Sequence, residues 1–361
     1  MKKFTGFEHG MGIGGWLTNY KRFNVLPDEW RMRLTIGDYE HFDSYITHDD
    51  VKYIASLGMD HIRLGFDQIV LEEAENPGVY REHIFDLIKN FVSWCKAEGL
   101  NVVLNLHKAI GNYCDIEEEV TLLENEGLQD RFVALWLKLE ESFADNNSVV
   151  FELLNEVRDV EPALWNKLAA RTITALRAVN PQRKIMIGST CWNDVDHVKY
   201  LDFYDDENIF YTFHFYQPFE FTHQRGVLQS SPLYYNRKLS YPDDIEKYRD
   251  YFRLLELDCS HYDGLDVMDI KYLRRAFASA LEVIKEHPDK IFYCGEFGTI
   301  RHADITSREN WMHDVISILK ENDIPYCVWN YLSTPNDGNR FSLVDDDTRK
   351  ILSERMAEII R

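Results

Sequence analysis

Short apolar runs rich in β-branched and aromatic residues alternate along this chain with longer stretches of helical period, the pattern of βα units around a parallel sheet. Eight runs read as strands: Met11 to Leu17, His61 to Phe66, Asn101 to His107, Val149 to Glu156, Lys184 to Ser189, Phe210 to Tyr216, Ile291 to Phe297 and Tyr326 to Tyr331. Most are apolar at successive positions, as strands covered on both faces should be. Helical segments are expected at Leu128 to Ala144, Pro162 to Val179, Val267 to Glu286, Ser307 to Asn322 and Thr348 to Ile360. The punctuation agrees, with Thr47 set to cap a helix entering at Asp49-Asp50 and with Gly58 and Gly99 closing helices. Without an internal repeat or a low-complexity linker, the pattern predicts one α/β domain over residues 1–361, a (β/α)8 barrel.

One connection breaks the rhythm. Residues 217–266, after the sixth strand, far exceed a βα loop and hold a short helical stretch over Asp244 to Leu257. Loops that follow strands emerge at the C-terminal face of a barrel, so this insertion subdomain is expected to cap that face or wall a cleft there; a passive stabilising role is the other reading. A smaller elaboration over Asn19 to Tyr45 carries Trp30 and Tyr39, either as exposed aromatics or as local packing.

Composition narrows the partners. With 40 basic and 61 acidic residues the formal charge is −21, which repels phosphate backbones and anionic lipid. Neither nucleic acid nor a membrane surface is therefore expected. A neutral polymer escapes that argument, and an aromatic content of 14% offers ring faces for sugars as well as for the core. The six cysteines form no C-x-x-C pair and have no histidine at zinc-ligand spacing, so they read as free thiols and no metal is expected. No cofactor is expected either, because Gly12-x-Gly14-Gly15 lies inside a strand and does not open a helix to cradle phosphate. The acidic run Asp115 to Glu119 reads as a solvated loop rather than a calcium site. Behind Met1-Lys2-Lys3 there is no apolar core of a signal peptide, and no stretch approaches membrane-spanning length. The expected address is cytoplasmic, or secreted had a leader been removed.

Two apolar runs end in a carboxylate: Val149-Val150-Phe151-Glu152-Leu153-Leu154-Asn155-Glu156 and Ile291-Phe292-Tyr293-Cys294-Gly295-Glu296. Such a group stands at the functional rim of a barrel, where stability gives little reason to put it. Cleavage of a glycosidic bond with retention needs two carboxyl groups about 5–5.5 Å apart, one protonating the leaving oxygen and one attacking the anomeric carbon. Each glutamate alone fits a capping or ion-paired rim residue equally well. Other strand ends add Arg63, His107, His214 with Tyr216, and Trp329, so six strands bring polar or aromatic groups to one rim.

The ordered set Arg63, His107, Asn155-Glu156, His214-x-Tyr216, Glu296 and Trp329 resembles glycoside hydrolase family 5, the family of many cellulases, over nearly the whole chain. The blocks Phe151 to Glu156, Phe213 to Phe219 and Tyr293 to Gly298 look closest to its bacterial endoglucanase C branch. The resemblance implies a retaining β-glycoside hydrolase with Glu296 as nucleophile, held anionic by Arg63 and Tyr216. Glu156 is then the general acid/base, kept protonated by a second negative charge nearby. Asn155 binds the 2-hydroxyl, His107 and His214 hold other hydroxyls or orient the acid, and Trp329 lies beneath the sugar. The implied activity is that of an endo-β-1,4-glucanase on cellulose-like or mixed-linkage β-glucan and cello-oligosaccharides, with water as co-substrate. A relative acting on xyloglucan, mannan, β-1,3-glucan or another β-glycoside, or a noncatalytic sugar-binding barrel, is the alternative. One departure stands out: Lys108 follows His107 where the family often has a second histidine, and its ammonium either alters hydroxyl contacts or turns away into an ion pair. Trp192, past the fifth strand, is a further sugar platform or packs beneath its loop.

Overall fold

In a computed structural model that describes residues 2–361 other than 23, 24, 117, 147 and 336, eight parallel strands close into a barrel. They are His9–Leu17, His61–Asp67, Asn101–Lys108, Val149–Glu152, Ile185–Gly188, Ile209–Phe215, Phe292–Phe297 and Tyr326–Val328, each paired with its neighbour along the chain and the last with the first. All eight expected strands are present. Helix Pro162–Val179 has the expected limits with proline in its first turn, and Thr47 donates its N–H and Oγ1 to Asp50 Oδ2 (2.8 and 2.7 Å) at the start of helix His48–Ser56.

The differences lie where the chain leaves the barrel. The run expected to be strand as far as Glu156 pairs only to Glu152, and the eighth stops at Val328 rather than Tyr331. Beyond them single bonds carry the chain along the rim, Asn155 N–H to the Leu106 carbonyl (2.8 Å) and Trp329 N–H to the Phe297 carbonyl (2.9 Å). Val267 is not helical, because Val267–Met268 pairs antiparallel with Asp243–Asp244; helix Ile270–Glu286 then starts under the Asp269 cap. The last helix is only Glu354–Ile359, since Asp345 Oδ1 captures the N–H and Oγ1 of Thr348 and turns the chain before it. Of the acidic run at 115–119, residue 117 lies outside the described residues.

The two main hydrophobic cores among the described residues result from strand alternation. Inside the barrel, Val103, Val150, Met186, Phe210, Tyr293 and Cys327 surround Phe4 and Phe7 of the N-terminal segment, and Phe4 stacks on Phe210 at 4.2 Å. This plug closes one end. Two residues further along the same strands the interior turns polar, with Asn105, Glu152 and Thr212 fully buried beside Arg63. The larger core fills the space between sheet and helices, and the buried Tyr235, Tyr241, Tyr248, Tyr251 and Tyr262 of the segment after the sixth strand belong to it. All six cysteines are free thiols. Among the described residues no helix is long and apolar enough to cross a membrane.

Away from the mouth, Arg183 ties the scaffold together. It is 1% exposed, donates from Nε to Glu140 Oε2 (2.6 Å), and also donates to the carbonyls of Phe143, Asn146 and Val149. It thereby satisfies the last carbonyl of helix Glu126–Phe143 and locks that helix to the start of the fourth strand. Replacing it leaves the buried Glu140 carboxylate without a counter-charge, held only by the Asn180 amide (2.7 Å) among the described residues, so Arg183→Met is expected to cost about 3–5 kcal/mol of stability while turnover per folded molecule is unchanged. Chemical denaturation with activity assayed at low temperature checks this, and an unchanged midpoint contradicts it.

Candidate active site

A cavity of about 310 Å³ opens at the C-terminal mouth, and eight of the nine expected site residues line it: His107, Asn155, Glu156, Trp192, His214, Tyr216, Glu296 and Trp329. The ninth, Arg63, lies beneath its floor with no exposed surface. A larger, more open depression at Asp243–Asp244 and Arg249 contains none of these groups.

Arg63 organises the floor. Its Nη1 donates to Glu296 Oε1 (2.6 Å), its Nε and Nη2 donate to the two oxygens of Glu152 (2.6 and 2.8 Å), and Nη2 also donates to Asn155 Oδ1 (2.7 Å). Burial works against the charge, but Glu152 and Glu296 outweigh it and hold the guanidinium above its ordinary range. The other oxygen of Glu296 accepts from the Tyr216 hydroxyl (3.0 Å), a phenol pushed up by burial and then by Glu296, so that it remains a donor. Both oxygens of Glu296 thus receive charge-assisted or phenolic hydrogen bonds.

Glu156 has a different setting. Burial pushes its carboxyl up to about 8, against the pull of Arg63 and Lys108 and with help from Asp115. The expected neighbouring negative charge is present as Asp115, but it adds to a shift in which desolvation leads. His214 Nδ1 lies 2.9 Å from Glu156 Oε1, and burial drives that imidazole down to about 4, leaving it neutral at neutral pH. A carboxylate oxygen of each glutamate and a ring nitrogen of His214 all lie within 4.8 Å of one another. Those three atoms are of the types that hold a metal. The guanidinium 2.6 Å from Glu296 Oε1 already supplies a fixed positive charge there, however, and would repel a divalent ion. The spacing and the opposed environments suit a proton donor facing a nucleophile.

The remaining residues form the walls. Trp329 stacks on His107 (centroids 5.3 Å apart, 11° between planes), and a Cβ on Gly12 or Gly14 would come within 2.8 Å of the indole. The glycines of the first strand therefore make room for this ring. His107 has its Nδ1 3.0 Å from Asn105 Oδ1, so of the two histidines it is His214 that faces Glu156. Asn155 spends its Oδ1 on Arg63, and its buried Nδ2 has no partner among the described residues. Trp192 stands in the cleft wall, 37% exposed, with Nε1 donating to the Cys114 carbonyl (3.0 Å). Lys108 turns away from the cleft: its Nζ donates to Asn19 Oδ1 (2.6 Å) and lies 3.7 Å from Asp115 and 3.9 Å from Asp67. The ion-pair reading holds.

Sequence reading missed Glu152, Asn19, Cys114 and Asp115. For Glu152 a signal existed, since a carboxylate inside an apolar strand needs a buried cation and Arg63 sits in another such strand.

Residues 28–334 match the Cellulase family, glycosyl hydrolase family 5. Endoglucanase C of Acetivibrio thermocellus is 34% identical over 364 residues, which cover 99% of this chain and 98% of that protein. Cellodextrinase A of Ruminococcus flavefaciens is 30% identical over 315 residues, covering 86% of this chain and 80% of that protein. In fold, the crystal structure of a hyperthermophilic endo-beta-1,4-glucanase in complex with substrate superposes with a TM-score of 0.73 over 98% of this chain and 97% of that one, at 22% identity. Sequence similarity on this scale, on a barrel whose mouth gathers two glutamates of opposed character, means that the chain belongs to glycosyl hydrolase family 5 and is a glycoside hydrolase.

Proposed function

We propose that the chain is a retaining endo-β-1,4-glucanase that cleaves cellulose-like and mixed-linkage β-glucans and cello-oligosaccharides by double displacement. One observation carries the reading: two carboxyl groups with an oxygen of each within 4.8 Å, one tied to Arg63 and Tyr216 and the other raised to about 8 beside a neutral histidine. Glu296 attacks the anomeric carbon as Glu156 protonates the departing oxygen, giving a glycosyl-enzyme and the first product. Glu156, now ionised, takes a proton from water as the water attacks that carbon from the opposite face, and Glu296 is released. Asn155 Nδ2 donates to the 2-hydroxyl oxygen and fixes the sugar at the cleaved bond, and Trp329 stacks below it. His214 keeps the Glu156 carboxyl aimed, and Trp192 offers a face to the leaving-group sugar.

The segment 217–266 contributes Gln217, Phe219, His223 and residues 227–229 to the cavity lining, which supports a role as the wall of the substrate cleft. Similarity to Cellodextrinase A favours a second reading on the same chemistry, preference for short cello-oligosaccharides over long chains.

Glu156→Gln is expected to lower kcat on a β-1,4-glucan about 10²- to 10⁴-fold, and Glu296→Gln is expected to abolish the covalent route, each with the native fold retained by circular dichroism. Near-normal turnover in either variant refutes the assignment. Because the acid must carry its proton, the alkaline limb of kcat/KM is expected to fall as pH rises through about 8, a limb that Glu156→Gln removes. Proton NMR of the first-formed product should show the β-anomer, at a rate unaffected by EDTA. Inversion, or loss of activity to the chelator, is the contrary result.

A further inference from the structure

Glu156 stands four residues beyond Glu152, the last residue of its strand. Its neighbours are tied on either side, Asn155 N–H donating to the Leu106 carbonyl (2.8 Å) and the Val157 carbonyl accepting from the Trp192 N–H (2.8 Å), and the Glu156 carbonyl itself is held from the loop after the third strand. Asn112 is 1% exposed; its Nδ2 donates to the Glu156 carbonyl (2.9 Å) and its Oδ1 accepts from the Arg158 N–H (3.4 Å). The carboxamide bonds to the chain on both sides of Val157 much as a neighbouring strand would. Asn112 is itself firmly set. Its N–H donates to the Ala109 carbonyl (2.9 Å), the N–H groups of Thr121 and Leu122 converge on the Gly111 carbonyl (2.9 and 3.1 Å), and Gln68 Oε1 accepts from the Ile110 N–H (3.0 Å). Gly111 adopts φ 84°, and a Cβ there would strike the Leu122 nitrogen at 2.8 Å, so the turn has little freedom.

We propose that Asn112 is the positioning residue of the acid/base: by bracketing Val157 it fixes the backbone from which Glu156 reaches the leaving oxygen. This rests on the acid/base role of Glu156 given above. A general acid works only within hydrogen-bond reach of the atom it protonates, and a misplacement of about 1 Å costs on the order of 10²-fold. Asn112 bonds to the acid's loop, whereas Glu296 is held separately by Arg63 and Tyr216. Loss of Asn112 therefore weakens protonation of the leaving group and spares nucleophilic attack.

The test compares two leaving groups. Asn112→Ala removes both bonds; Asn112→Asp keeps the size and the acceptor for Arg158 but turns a carboxylate oxygen against the Glu156 carbonyl, and it carries the test should the alanine variant fold poorly. On a cello-oligosaccharide, whose leaving alkoxide needs a proton, kcat/KM is expected to fall about 10- to 100-fold. On dinitrophenyl β-cellobioside, whose leaving phenolate needs none, it is expected to fall by less than about threefold. Glu156→Gln, run beside them, shows the same split in larger measure. Equal losses on both substrates, or no loss on either, overturn the role of Asn112. Equal losses in Glu156→Gln overturn the acid/base reading itself and the proposal with it, so the two failures are told apart by that variant alone.

Discussion

Arg63 keeps a full positive charge in the dry interior of the barrel, and the layout of the site follows from the cost of leaving that charge unpaired. Removing an ion from water costs several kcal/mol even after relaxation, and only good geometry with every donor used offsets it. Glu152 takes two of the donors and never reaches the cleft, Asn155 takes a third bond, and one arm is left to aim at Glu296. Counting formal charges, Arg63 against Glu152 and Glu296 leaves one net negative charge on the cluster. Such an arrangement need not add stability; what it fixes is geometry.

The same interior separates two chemically identical side chains. Glu296 accepts from a guanidinium and a phenol, whereas Glu156 meets a neutral imidazole and is pushed up chiefly by desolvation. His214 is itself too far lowered to lend Glu156 a positive charge. Behind this face Lys108 is committed to Asn19, Asp115 and Asp67, so its charge lowers Glu156 only from a distance and its ammonium stays out of the lining. A proton donor and a nucleophile thus arise from one residue type through packing alone.

The barrel was legible because apolar strands and capped helices declare themselves locally, and the rim carboxylates because each follows an apolar run. The limits of the fourth and eighth strands were not, since pairing there ends while the apolar pattern continues to Leu154 and Leu332. Glu152 escaped notice because its meaning depends on Arg63, in another strand, and Asn112 because its partners are backbone groups that carry no mark in sequence. Gly12 and Gly14 were legible as strand glycines that cradle no phosphate, but not why they are glycines: the Trp329 indole, from the far end of the chain, fills the space beside them. In each case the missing information was a contact between distant segments, which periodicity does not encode.

The covalent role of Glu296 is the claim on which the rest depends, and trapping tests it most directly. A cellobioside fluorinated at the 2-position and bearing a good leaving group slows both steps but lets the first proceed, so the adduct accumulates. Intact mass should rise by one fluorinated disaccharide, and peptide mapping should find it on Glu296. An adduct on Glu156 or on any other residue, or an active enzyme that never forms one, would contradict it.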